Sequence, residues 1–224
     1  IHNIAHQGAM SHDRLSDLAL PASLSSALDM GGVINPLKAG LALSDKIVTV
    51  SPSYAHEIQS SECGMGLESV LQHRRRDIVG ILNGIDEQKH SPKSGAGIAA
   101  PFSAQDLAGK ALCKADLQRS VGLQIHPKRP LFGFVSRLDF QKGVDVLLEV
   151  LPYLISRGAQ VVLLGTGDPR LEHQLRAAGQ HPQVASIVEF SGALAKKITA
   201  GSDFLLMPSR FEPCGLTQQH ALQY

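Results

Sequence analysis

Apolar residues in this chain fall into short, nearly unbroken runs separated by polar stretches with helical spacing. Runs at 131–135, 160–164, 185–190 and 203–207 have strand length and little polar alternation, as expected of strands covered on both faces. Between the first two, Leu147, Leu151, Leu154 and Ile155 recur at helical spacing. Strands alternating with helices predict a parallel sheet built by right-handed crossovers. A further helix is predicted from about Ala104 to Val121, ended by Gly122. The earlier part reads as a loop from His2, a helix-like stretch, a strand from Lys46 to Val50, a helix starting near Ser53 and a strand near Ile78 to Leu82. Residues 87–105, rich in Ser, Pro, Gly and Lys, read as a linker. The expected organisation is α/β throughout: one half over 1–86, a linker and connecting helix over 87–122, and a second half over 123–224.

Two segments carry chemistry. In Pro208-Ser209-Arg210-Phe211-Glu212-Pro213-Cys214-Gly215-Leu216-Thr217-Gln218, a strand end passes through a turn into a helix, which is where open α/β sheets bind ligands. Two prolines fix the turn and Gly215 permits close backbone approach. The amides of Gly215, Leu216 and Thr217 then suit a phosphate, and Glu212 is expected at the mouth of the crevice. In the second segment, Arg137 and Lys142 lie between the strand ending at Ser136 and the helix after Gly143, where two cations can neutralise a diphosphate as its charge develops. Taken singly, such cations are ordinary surface charges; the two segments together favour the phosphate reading.

Gly165-Thr166-Gly167-Asp168-Pro169 begins like a dinucleotide loop, but Arg170 stands where the third glycine belongs. Asp168 as N-cap and Pro169 in the first turn explain the segment structurally. His2 and His6 share a spacing that metal ligands use on helices, but the surrounding residues read as a loop and no further ligand is identified.

Composition narrows the picture only slightly. The 224 residues carry a net charge of +1, which offers no basic field for nucleic acid. Cys63, Cys113 and Cys214 form no CxxC pair and leave an odd count, arguing against a disulfide framework and a zinc site. No apolar run is long enough for a membrane span.

Ser-Arg-Leu-x-x-Gln-Lys-Gly at 136–143 and the 208–218 segment closely resemble bacterial glycogen synthases and plant or algal starch synthases. Ile1-His2-Asn3-Ile4-Ala5-His6-Gln7-Gly8, Leu37-Lys38-Ala39-Gly40, Val50-Ser51-Pro52-Ser53-Tyr54-Ala55 and Gly80-Ile81-Leu82-Asn83-Gly84-Ile85-Asp86 agree, in family order. The resemblance implies two Rossmann-like domains of the GT-B architecture, both incomplete here. It implies a retaining transfer of glucose from ADP-glucose to the 4-hydroxyl at the non-reducing end of an α-1,4-glucan. No cofactor or metal is implied.

Arg137, Lys142 and the helix start at Gly215, Leu216 and Thr217 are then expected to hold the leaving diphosphate, with Cys214 beside them. Glu212 is expected to hydrogen-bond sugar hydroxyls and favour an oxocarbenium-like state. His2 matches the family histidine that reaches the donor glucose, and Asn83 a sugar-contacting Asn, although Asn-Gly is also an ordinary turn. The loop with Gly165 and Gly167 is placed near the nucleotide. Phe190 stands where the family carries a ring against adenine; core packing is the other account.

Two departures stand out: His220 occupies the position where many related transferases carry a second, ribose-holding Glu, and His90 lies where a Trp is common. Starch and glycogen synthases also lack that second Glu, which favours the ADP-glucose branch. The resemblance further implies an N-terminal Lys-x-Gly-Gly-Leu loop upstream and a Thr-Gly-Gly-Leu segment downstream. Residues 1–224 alone are accordingly expected to fold marginally and to be inactive, and the parent is expected in a bacterial cytoplasm or plastid stroma, with its oligomeric state open. A dinucleotide-dependent enzyme requires the missing third glycine and a ribose-binding acid. A non-catalytic glucan binder leaves the Arg137, Lys142 and Glu212 set without a purpose.

Overall fold

The computed structural model describes residues 1–224, apart from the side chain of Ala22. The chain divides into two compact units, Ile1–Gly84 and Ile85–Tyr224.

In the first unit, β1 (Met10–Ser11), β2 (Asp29–Met30) and β3 (Val33–Ile34) form a small antiparallel sheet in the order β1-β3-β2. The helix-like stretch expected here contains only 3₁₀ turns and the short α1 (Ser25–Leu28). Helix α2 (Pro36–Leu43) starts where Asn35 accepts a hydrogen bond from the Lys38 amide, with proline in the first turn. Ser51 and Pro52 start α3 (Pro52–Glu57) in the same way, after β4 (Ile47–Thr49). Helix α4 (Glu68–His73) leads to β5 (Ile78–Gly80), which pairs with β4 in parallel, Ile47 opposite Ile78. Ile4, Ile34, Tyr54, Ile58, Leu67 and Leu71 fill the interior. The Tyr54 hydroxyl accepts from the Ile4 amide at 3.0 Å, which satisfies a buried polar pair.

The second unit begins with a segment that folds onto it and continues into α5 (Ala108–Ser120), shorter at its start than expected. Ser103 Oγ accepts from the amides of Gln105 and Asp106, and Asp106 Oδ1 from that of Ala108, so local side-chain bonds hold 103–107 out of the helix. Rather than merely connecting, α5 covers one face of a parallel sheet. Its buried Lys114 places Nζ 2.6 Å from Asp203 Oδ2, while Asp203 Oδ2 also accepts from the Leu131 amide.

That sheet comprises β6 (Leu131–Val135), β7 (Gln160–Leu164), β8 (Val184–Ile187) and β9 (Phe204–Leu205), ordered β8-β7-β6-β9. Between the strands run α6 (Val144–Ser156), α7 (Pro169–Ala178) and α8 (Gly192–Gly201), and α9 (Leu216–Gln223) follows β9. Every residue of β7 is buried. Val161 and Leu163 pack with Phe134, Leu147, Leu151 and Leu175 on one face; Val162 and Leu164 pack with Leu117, Leu131 and Ile198 on the other. This two-sided burial is why the apolar runs lacked alternation.

The expected strands at 185–190 and 203–207 form ladders only over Val184–Ile187 and Phe204–Leu205, because the chain beyond them turns into loops. The sheet grows from β6 outward to β8, then returns to place β9 on the other side of β6. The gap between the ends of β6 and β9 is therefore a topological switch point, where doubly wound sheets place their ligand crevice. No helix among the described residues is long and apolar enough to cross a membrane, and Cys63, Cys113 and Cys214 are free thiols.

Candidate active site

Two loops meet at the switch point. The first leaves β6 through Ser136-Arg137-Leu138-Asp139, makes a 3₁₀ turn over Phe140–Lys142 and enters α6 at Gly143. Asp139 caps that turn by accepting from the Lys142 amide at 3.1 Å. Gly143 has φ +63°, and a Cβ there would lie 2.1 Å from the Pro208 carbonyl oxygen. Only glycine allows the two loops to approach this closely.

The second loop, Pro208 to Gly215, is fastened to the first. The Arg210 amide donates to Gln141 O at 2.8 Å, and Gln141 Nε2 to Phe211 O at 3.2 Å. The Arg210 guanidinium grips Asp145 with two bonds of 2.8 and 2.6 Å, donates to Phe140 O and lies 4.0 Å from the Phe140 ring centroid. This pairing holds the Asp145 carboxyl down to about 2 and raises the Arg210 guanidinium. Arg210 and Asp145 form a clamp that no spacing in the sequence announces.

Lys142 and Glu212 meet inside the junction. Lys142 Nζ lies 2.9 and 2.8 Å from the two Glu212 carboxylate oxygens, with the side chains only 17% and 23% exposed. Glu212 is thus largely enclosed and ion-paired rather than standing open at the crevice mouth. Arg137 pairs with Asp139 at 3.0 Å, but its side chain is 61% exposed, which leaves guanidinium donors available. Gly215, at φ +72°, opens α9, whose first amides have no intrahelical acceptor. Cys214 is engaged locally: Gln219 Nε2 donates to its carbonyl at 3.2 Å and approaches its Sγ at 3.3 Å.

A cleft of about 260 Å³ adjoins this junction, lined by Ser136, Arg137, Gly165, Thr166, Phe190 and Thr217 among others. Phe190 is 91% exposed, which rules out core packing. Gly165 and Gly167 have a structural reason to be glycine: an added Cβ would lie 2.1 Å from Ser136 O at the first and 2.3 Å from Leu138 O at the second. Gly165 also borders the cleft. Asp168 caps α7 as expected, accepting from the amides of Arg170 and Leu171. The fold therefore gathers Arg137, Lys142, Glu212, Cys214, Gly215, Leu216, Thr217, Gly165 and Phe190 at one end of the sheet, with Gly167 in the neighbouring loop. His2 and Asn83 lie in the first unit. No cluster of His, Cys, Asp and Glu among the described residues is grouped to hold a metal ion.

Residues 1–73 match the family model described as starch synthase catalytic domain, and residues 129–224 match glycosyl transferases group 1. Glycogen synthases of Anaeromyxobacter dehalogenans and Rhodopseudomonas palustris are 48% and 50% identical over the whole chain. The catalytic domain of starch synthase IV from Arabidopsis thaliana, solved bound to ADP and acarbose, superposes with TM-score 0.93 at 35% identity, covering 100% of this chain and 48% of that one. The chain belongs to the glycogen and starch synthase family. It spans about half the length of these relatives, 48% and 47% of the two bacterial enzymes. Anabaena HepE, solved with UDP and glucose, shares the fold at TM-score 0.54 and 17% identity, covering 95% of the chain and 49% of its own. Among these synthases and transferases the fold is α/β with Rossmann-like halves, the GT-B class, as the motifs implied.

Proposed function

We propose that the protein carrying this chain is a retaining glycosyltransferase that moves glucose from ADP-glucose to the 4-hydroxyl at the non-reducing end of an α-1,4-glucan. The observation that carries this reading is the Lys142–Glu212 pair, held at the switch point beside the start of α9. A diphosphate seated there meets two cations, Arg137 and Lys142, and the amides of Leu216 and Thr217. These stabilise charge as the glycosidic bond to the leaving group breaks, without need of a metal ion. As the diphosphate draws on the Lys142 ammonium, the Glu212 carboxylate becomes available to sugar hydroxyls and to positive charge developing at the anomeric carbon. Phe190, exposed at the rim of the cleft, offers its face to an adenine ring. The ADP and acarbose in the starch synthase IV structure support a nucleotide-sugar donor and a glucan acceptor. The roles of His2 and Asn83 toward the donor sugar rest on the match of their motifs.

Glucose transfer from ADP-glucose to glycogen by the protein carrying these residues tests the proposal. Arg137→Ala and Lys142→Met are each expected to lower kcat/KM by about 10²-fold or more, the size seen when one transition-state charge partner is lost. Wild-type turnover in both variants, or equal use of UDP-glucose, would refute the assignment.

A further inference from the structure

His90, which stands where a Trp is common in the family, and His220, which stands where many related transferases carry a Glu, meet in the fold. Their rings stack with centroids 3.8 Å apart and planes 10° from parallel. His90 lies on the segment that enters the second unit, where its amide donates to Asp86 O at 2.9 Å. His220 lies on α9, one turn beyond Leu216 and Thr217. The pair borders a cavity of about 400 Å³ that also receives Lys89, Lys196, Thr217 and Tyr224. Lys196 Nζ, on α8, donates to Lys89 O at 3.2 Å.

Two lysines line the same cavity as the rings. Lys89 comes from the entering segment and Lys196 from α8. The Asp86 carboxylate is near His90 but already accepts from the Lys89 and Gln88 amides, bonds that lower its affinity for protons. Just past α9, burial keeps the Tyr224 phenol protonated to higher pH. Burial, and then the neighbouring His90, push the His220 imidazole below its ordinary value. Two neutral rings stack favourably, whereas a His220 imidazolium here is half-buried and meets a second imidazole.

We propose that the His90–His220 stack is a positioning pair, which while neutral fixes the seating of α9 and so the Thr217 end of the donor site, and which acidification releases, weakening nucleotide binding. The nucleotide part rests on the donor-site reading above. The sign follows from linkage: His220 in the stack, largely through its burial, binds protons less readily than a free imidazole. Its stabilisation is thus complete above the ordinary histidine value of about 6.5 and declines as pH falls below it.

The test compares wild type with the His90→Phe/His220→Phe double variant, which keeps two stacked rings with nothing to protonate. Hydrogen exchange at Glu87–Ser91, corrected for intrinsic rates, is expected to accelerate between pH 7.5 and 5.5 in wild type only. By calorimetry, ADP affinity is expected to fall over the same range by about fivefold more in wild type. The nucleotide's own terminal phosphate titrates there too, but equally for both proteins. Equal pH dependence in the two proteins overturns the proposal, as does a folded double variant that cannot bind ADP at pH 7.5. If wild type fails to bind ADP at pH 7.5, the donor-site reading falls, while the exchange comparison still decides whether the stack is released by protons. Should the double variant fail to fold, His220→Phe replaces it, removing the half-buried imidazole while keeping a ring on His90, and undiminished pH dependence there is the overturning result.

Discussion

Replacing Lys142 with Met and Glu212 with Gln, singly and together, isolates the pair at the centre of the site. Exposed ion pairs contribute up to about 1 kcal/mol, whereas breaking a buried one costs about 3–5 kcal/mol. With side chains 17% and 23% exposed and both carboxylate oxygens within 2.9 Å of Nζ, this pair lies between those cases. Lys142→Met alone is therefore expected to cost about 2 kcal/mol, because it strands a carboxylate that water reaches poorly; for a unit of this size that lowers Tm by roughly 4–8 °C. Glu212→Gln should cost less, since the amide can still accept from the ammonium. The double variant should recover part of the sum, with a coupling of about 1.5 kcal/mol.

Urea titration of all four proteins gives the cycle. Repeating it with ADP separates architecture from binding: Lys142→Met should lose most of the stabilisation by ADP. Glu212→Gln should retain or increase it, because it removes a negative charge beside the diphosphate. A coupling below about 0.3 kcal/mol, or equal loss of ADP stabilisation in both single variants, would refute the reasoning.

Gly143→Ala forces a left-handed backbone and a Cβ 2.1 Å from Pro208 O, so it should destabilise by about 3 kcal/mol or more and abolish ADP binding, measured by thermal denaturation with and without ADP. Phe190→Ala should leave stability within about 0.5 kcal/mol, because the ring is 91% exposed, yet weaken ADP binding about tenfold by calorimetry; a large loss of stability would return Phe190 to a packing role. With Asp145 held down to about 2, its folded-state value is depressed, so the clamp's contribution is present above the ordinary carboxylate range and is lost as pH falls toward that value. The stability gap between wild type and Asp145→Asn should accordingly be constant above about pH 5 and close during acid titration. Glucose transfer should persist in EDTA if, as proposed, Arg137, Lys142 and a helix start supply the charge that magnesium supplies elsewhere; restoration by magnesium after loss would sink that account.

Where local chemistry dictates structure, the sequence could be read closely. Leu131–Val135 and Gln160–Leu164 fall on the expected strands because they are covered on both faces, leaving no competing pattern. Asp168 with Pro169, and Gly215 before Leu216, mark helix starts because capping and φ preferences act within a few residues. The antiparallel sheet of the first unit was not foreseen: two-residue strands such as Met10–Ser11 carry no measurable period. Arg137, Lys142 and Glu212 stood out through their motifs, but the direct Lys142–Glu212 bond is a tertiary fact. Arg210 was visible and Asp145 was not, since nothing local links residues 65 apart. Phe190 was ambiguous for another reason: an apolar residue at a strand end looks the same whether it turns inward or outward. His90 and His220 were each noticed as departures, and only the fold shows that they answer one another.

The two-residue ladder of β9 against β6, Phe132 opposite Phe204 and Gly133 opposite Leu205, sets the time at which the site can come into being. Lys142 and Glu212 are 70 residues apart and Lys114 and Asp203 are 89 apart, so none of these bonds can form until β9 and the loop after it have emerged and docked. While the chain is being made, β6 and its loop wait beside an open edge, with Lys142 still lacking Glu212. Contacts spanning this much sequence are expected to close after the folding transition state. A bound nucleotide should therefore slow unfolding and leave the folding rate nearly unchanged, serving as a lock on the β6–β9 pairing rather than a template for it.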